Sequence, residues 1–383
     1  MLNVRSVFVG MAGACGLLFA SGNVSADLAL NLPLPVAPLT RDIFNLHMLT
    51  TWIATIIMVI IIAVVLFTIL KFRKSRGYEP DQEFHKGFFG RFGWLFVPVV
   101  VLGIDMTIAG SAQSTLEKIE DYSDSDLTIK VVGSQWKWTY EYIDDGMGGV
   151  QDKDATLKIV SRLKELDVTD PLYLRDVDNP LVLPIGKRVR FLHTAADVLH
   201  AWWVPEIVYK KDSIPGYINE TWTIIEKEGV YRGQCAENCG TGHAFMPIVV
   251  KAVNEEKYAA WLGGQKVAMA ASAAEASADK VWAMEDLMAR GEKVYGTNCV
   301  ACHMATGEGI PNVFPALKGS AIASGPIADH MNIVLKGKAG TAMAAWGGQL
   351  NDLEIAAIIT YERNAWGNNA GDVVQPADVK AAR

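Results

Sequence analysis

The sequence predicts a multi-domain chain: a two-helix transmembrane hairpin, then a barrel of short β-strands, then an all-α domain. Three observations carry this. Two apolar runs, at about residues 46–70 and 93–113, are each long enough for a helix to cross a bilayer. From Leu127 to about Val253, short alternating runs such as LTIKVVG, WKWTYEY, RVRFLHT and PIVVKAV are bounded by Gly, Pro and Asp. That pattern argues for an antiparallel sandwich or barrel. Past residue 280 the chain carries CVACH, then a helical pattern opened by Asn351 and Glu354.

At 383 residues the chain has room for two or three domains. A net charge of -7 argues against nucleic acid as a partner. Arg5 precedes an apolar stretch, Val7 to Ala20, and small residues end at Ala26, so residues 1–26 read as a secretory signal peptide. Residues 27–114 hold the hairpin. Its loop carries Lys71, Arg73, Lys74, Arg76, Lys86 and Arg91, whereas the chain beyond the second span turns acidic at Glu117, Glu120 and Asp121. The positive-inside rule puts that loop in the cytoplasm and everything after Ser114 outside. Asp105 lies within the second span, where an acid faces a partner subunit or serves a function.

Once the leader, with Cys15, is set aside, four cysteines remain, and all fall in two motifs. The first is CAENCGTGHAFM, Cys235 to Met246, which lays two thiols, an imidazole and a thioether along one loop; His200 lies upstream. Two cysteines and two histidines also suit structural zinc. The CxxxC and CxxxH spacings and the soft thioether of Met246 favour copper instead. The second motif, Cys299 to His303, is the attachment signature of a covalent haem, with two thiols one helical turn apart and an axial imidazole. Met343 is the expected sixth ligand, ahead of Met304, which adjoins His303, and Met331, which sits in a helical pattern. The carbonyl of Pro315 is expected to orient the His303 ring. No metal role is expected for His47, His85, His193 or His330. An Ala- and Ser-rich stretch, residues 263–279, reads as a linker, partly helical, before a haem domain at 280–368 and a tail at 369–383.

The segments DVLHAWWVP, KKDSIPG and GQCAENCGTGHAFMP resemble subunit II of the haem-copper oxidases, and the final stretch resembles a class I cytochrome c domain. The first resemblance implies a cupredoxin-like Greek-key barrel over residues 127–262, holding a dinuclear copper A centre. Cys235 and Cys239 would bridge the coppers, with His200, His243, Met246 and the carbonyl of Glu237 completing the set. The Glu237 side chain, with Asp212 nearby, would bind magnesium where a catalytic subunit docks. Trp136 would form the surface that accepts electrons, and Trp138 would be core. In the haem domain, Gly291 and Tyr295 would mark the first helix, Ala357 and Tyr361 the last.

Function follows as an expectation. Electrons from a periplasmic c-type cytochrome or similar donor would pass from haem to copper. They would then go to a haem-copper subunit I that reduces oxygen, in a bacterial inner membrane. A copper A nitric oxide reductase subunit and a free-standing membrane-anchored carrier are the alternatives. Trp94 and Pro98 match the family's second span, but Arg91 stands where many members have a proton-channel Glu.

Overall fold

The computed structural model describes residues 31–79, 81–144, 157–277 and 280–383. The expected signal peptide lies outside them. The chain divides into two compact units, Met1–Lys118 and Ile119–Arg383.

The first unit holds helices α1 (Pro38–Lys71) and α2 (Phe88–Ile119). Pro38 opens α1, where its fixed φ costs nothing and its missing N–H is not needed. At 34 residues α1 extends about 50 Å, more than the ~30 Å hydrocarbon thickness. Both helices are long and apolar enough to cross a membrane. Their apolar side chains, Ile56 to Leu70 and Phe96 to Leu102 among them, are largely exposed. Where the helices meet, the Lys118 ammonium lies 2.7 Å from Asp42.

The second unit begins with two five-stranded sheets. One runs in the order β3 (Leu157–Ser161), β2 (Lys137–Tyr142), β1 (Leu127–Ser134), β5 (Arg188–Ala195), β8 (Asn219–Ile224). The other runs β4 (Leu181–Pro184), β10 (Pro247–Val253), β9 (Gly229–Cys235), β6 (His200–Val204), β7 (Val208–Ser213). Alternate residues of β1 and β5 are buried, as a half-covered sheet requires. Aromatic rings from both sheets meet in the core: Phe191 stacks on Trp202 at 5.0 Å, and the Trp202 indole reaches the Tyr140 hydroxyl at 3.4 Å. The strand runs alone predict antiparallel pairing, and the structure departs from that in two places. β1 pairs with β5, and β4 with β10, in parallel. Strands far apart in sequence meet there, so no tight hairpin constrains their direction.

Most of the expected linker is helix, α3 (Glu255–Ser277). Alanine is the strongest helix former, and Glu255 and Glu256 favour the positive end of the helix dipole. The haem domain follows as α4 (Met284–Asn298), α5 (Val300–His303), α6 (Ile327–Lys336) and α7 (Asp352–Asn364). Helices α4 and α7 cross at Gly291, where a Cβ would lie 2.2 Å from the Ala357 carbonyl oxygen. The rings of Tyr295 and Tyr361 pack beside that crossing, 5.5 Å apart. Asn351 and Glu354 form the expected capping box, each side chain 2.9 Å from the other's backbone N–H. The expected tail is instead part of this domain. Its helix α8 (Pro376–Ala382) buries Val379, which joins Val374, Met331, Ile355 and Ile359 in one cluster, because apolar side chains at this spacing need cover.

Candidate metal centre and haem cavity

Strand pairing builds the metal centre. β6 lies beside β9 with Trp202 opposite Cys235, which carries His200 at the start of β6 to the thiol at the end of β9. The loop from Cys235 to β10 then folds back over both. The two sulfurs lie 3.9 Å apart. A disulfide would hold them at about 2.05 Å, so these are separate thiols with a gap between them. His200 turns Nδ1 toward Cys235 at 3.9 Å, and His243 turns Nδ1 toward Cys239 at 3.5 Å. The Met246 sulfur is 3.5 Å from Cys239, and the Glu237 carbonyl oxygen is 3.3 Å from Cys235. Each of the other four expected donors thus lies within 3.9 Å of one of the two sulfurs, and His200, Cys235 and Cys239 meet the spacing of a metal site.

The centre is buried: His200 is fully covered, Cys239 and Met246 nearly so. Close approach demands glycine at Gly133, where a Cβ would come 2.8 Å from the His200 ring. Burial lowers the His200 imidazole, but its bonds to Asp197 and Cys235 outweigh this and raise it. Burial pushes the Cys239 thiol up, reinforced by charge on Cys235. Two thiols so close resist ionising together, and a soft cation between them would hold both as thiolates. The donor set thus fits copper: two thiols, two imidazoles and a thioether outnumber the one hard donor, the Glu237 carbonyl oxygen.

Trp136 lies over the loop, its indole N–H 3.3 Å from the Cys239 carbonyl oxygen. Gly242 makes room, since a Cβ there would sit 2.2 Å from the indole ring. Trp138 is fully buried and donates to the Met246 carbonyl at 3.3 Å. Glu237 and Asp212 do lie close together, and Lys210 reaches both, 2.6 Å from Asp212 and 3.8 Å from Glu237. An ammonium thus already offsets the two carboxylates expected to hold magnesium.

A second feature is a cavity of about 330 Å³ walled by Cys299, Cys302, His303 and Met343. The His303 ring is held by Nδ1, 2.9 Å from the Pro315 carbonyl oxygen, which leaves Nε2 free to bind iron. Met304 and Met331 are not among the lining residues: Met304 is exposed, and Met331 is packed in the α6–α7 core. The wall is mostly apolar, and the cavity is within the range of cofactor pockets. Thiols, imidazole and thioether on such a wall fit a covalent haem. Of the histidines expected to have no metal role, His193 is buried against Thr221 at 2.8 Å and His330 against Glu362 at 2.7 Å.

Sequence reasoning missed the residues where the barrel meets the haem domain. Ser134, Gln135, Lys137, Ala196 and Asp197 of the barrel also wall the cavity. The Lys137 ammonium lies 4.3 Å above the Trp346 ring, and Arg162 donates to Asn298 at 2.6 Å. Nothing in their spacing marks these positions, since their partners lie more than a hundred residues away.

Fold and donor sets together define a class: a redox protein with a membrane anchor and two cofactor cradles. Residues 127–253 match the family of the cytochrome c oxidase subunit II periplasmic domain, and residues 286–361 match that of cbb3-type cytochrome c oxidase subunit III. A probable cytochrome c oxidase subunit 2 of Rickettsia bellii is 36% identical over 60% of this chain and 82% of its own length. Cytochrome c oxidase subunit 2 of Cereibacter sphaeroides is 33% identical over 65% and 88%. Among solved structures, the periplasmic domain of subunit II of cytochrome oxidase of Bradyrhizobium japonicum is 38% identical. It covers 38% of this chain and 96% of its own, with a TM-score of 0.33. The chain belongs to the cytochrome c oxidase subunit 2 family, whose members are parts of an oxidoreductase complex.

Proposed function

We propose that this chain is the electron-accepting subunit of a terminal respiratory oxidase, anchored in a bacterial inner membrane with both cradles on the periplasmic side. His200, Cys235, Cys239, His243, Met246 and the Glu237 carbonyl would hold a dinuclear copper centre. Cys299, Cys302, His303 and Met343 would hold a covalent haem. Each group supplies one-electron chemistry when bound, and electrons would pass from haem to copper and on to a haem-copper subunit I that reduces oxygen to water.

The chain's own residues prepare this. Burial of Cys235, Cys239, His200 and Met246 excludes water and fixes ligand positions, so a change of charge moves little. Pro315 fixes the His303 ring. Half-buried Trp136, hydrogen-bonded to the Cys239 backbone, offers a surface to a soluble c-type donor. A magnesium ion at Glu237 and Asp212 would displace Lys210 from its present pairing.

One observation carries the reading: two thiols, two Nδ1 atoms and a thioether converge in the same compact unit as a CVACH-walled cavity. Metal analysis and electron paramagnetic resonance of the purified full chain test it. The expected result is about two coppers per chain, sharing one unpaired electron, as the resemblance to oxidase subunit II implies. Cys235→Ser should abolish that signal and leave the haem absorption in place. A single zinc in their stead would sink the proposal.

A further inference from the structure

The haem cavity and the metal centre share a wall, and Asp197 and Gln135 line the one and touch the other. Asp197 lines the cavity that Cys299, Cys302 and His303 also wall. Oδ1 accepts from His200 Nε2 at 2.9 Å and from the Val198 N–H at 2.7 Å, while Oδ2 accepts from the Gln135 N–H at 2.8 Å. Three hydrogen bonds fix it. Neighbouring Gln135, also on the wall, donates its side-chain amide to the Cys239 carbonyl at 2.9 Å. Two short chains of bonds therefore run from the cavity to the metal-site residues, one ending on His200 and the other on Cys239. Trp136 is not among the lining residues. It sits over the Cys239 end of the loop, against Gly240 and Gly242.

We propose that Asp197 is a positioning residue that couples the haem cavity to His200, so that the attached haem domain uses a route separate from the Trp136 surface. In the step it would serve, one electron would leave the haem held by Cys299, Cys302, His303 and Met343 and be accepted by the copper held at His200, Cys235 and Cys239. No covalent bond forms or breaks, and the His200 Nε2 proton stays in its bond to Asp197. Tunnelling is favoured through bonds and hydrogen bonds over open space, and the Asp197–His200 bond supplies one. Trp136 then remains free for a soluble donor. The chain would have two electron inputs, an internal one at Asp197 and an external one at Trp136.

The inference rests on the function proposed above, and its test separates the two. The full haem- and copper-loaded chain is used. Its haem is reduced by a flash-excited ruthenium complex, and haem reoxidation and copper reduction are followed optically. Asp197→Leu should slow internal transfer about tenfold or more, the scale of losing a residue that orients a metal ligand. Trp136→Ala should slow it far less. Asp197→Asn keeps one acceptor oxygen for His200 and should fall between wild type and Asp197→Leu, which separates the hydrogen bond from the negative charge. The copper resonance of Asp197→Leu should also change, because the His200 ring loses its brace. If Trp136→Ala slows internal transfer and Asp197→Leu matches wild type, the separate route is wrong. If the wild-type chain gives no shared-electron copper signal, the functional reading itself falls, and this inference with it.

Discussion

Single residues decide how closely the parts of the metal centre approach. At Gly242 the Trp136 indole occupies the space a side chain would fill. Gly242→Ala should push the ring off the loop while the six donors stay within the same loop and strand ends. We expect copper content to persist and reduction by a soluble cytochrome to slow several-fold in stopped-flow mixing. Loss of copper without slower reduction would show that Gly242 serves the ligand loop and not Trp136. Asp197 belongs to the same scale. Burial raises its carboxyl, but the bonds from His200, Gln135 and Val198 outweigh this and hold it below its ordinary value. Sequence could flag the ligands, because thiols, imidazole and thioether in one loop are rare without a metal. It could not flag Asp197, an acid in a loop whose importance comes from Gln135 and the cavity, sixty residues away in one case.

Among elements, helix α7 of the haem domain shows how much local sequence dictates. Asn351 and Glu354 satisfy each other's backbone donors, and the apolar face of α7 then packs on α4. Asn351→Ala should cost about 1 kcal/mol, the usual loss of an N-cap. Thermal unfolding of the full haem-loaded chain, followed by haem absorption, measures it; an unchanged midpoint would mean the box is not holding the helix. Capping residues are a local signal, so they were legible, whereas Gly291 was expected only from the resemblance to a cytochrome c domain. The parallel pairings of β1 with β5 and of β4 with β10 were not. A strand's alternating pattern says which face is buried, but not the direction of its neighbour.

For the whole molecule, the contact between barrel and haem domain sets a pH dependence. Burial pushes the Lys137 ammonium down to about 7 from an ordinary value near 10.5, with the nearby Arg162 charge adding to it. The unfolded or undocked chain therefore holds this proton more tightly than the folded one. Stability of the unit should rise with pH between about 7 and 10.5 and be flat in this contribution below 7. Lys137→Met should remove that slope and strengthen the contact at neutral pH. Denaturant unfolding of the full chain at several pH values checks this, and an identical slope in the variant would show that another group controls it.

The sequence by itself determined the order of parts, the apolar helices, the capping box and the two cysteine motifs. These depend on residue type and on spacing along a few turns of chain, which local chemistry sets. Only the tertiary structure decided that the tail packs into the haem domain, that Lys210 stands between Glu237 and Asp212, and that one wall serves both cavity and metal centre. Those outcomes depend on which distant surfaces bury one another. Burial rewards apolar area from anywhere in the chain, so no local pattern records the choice.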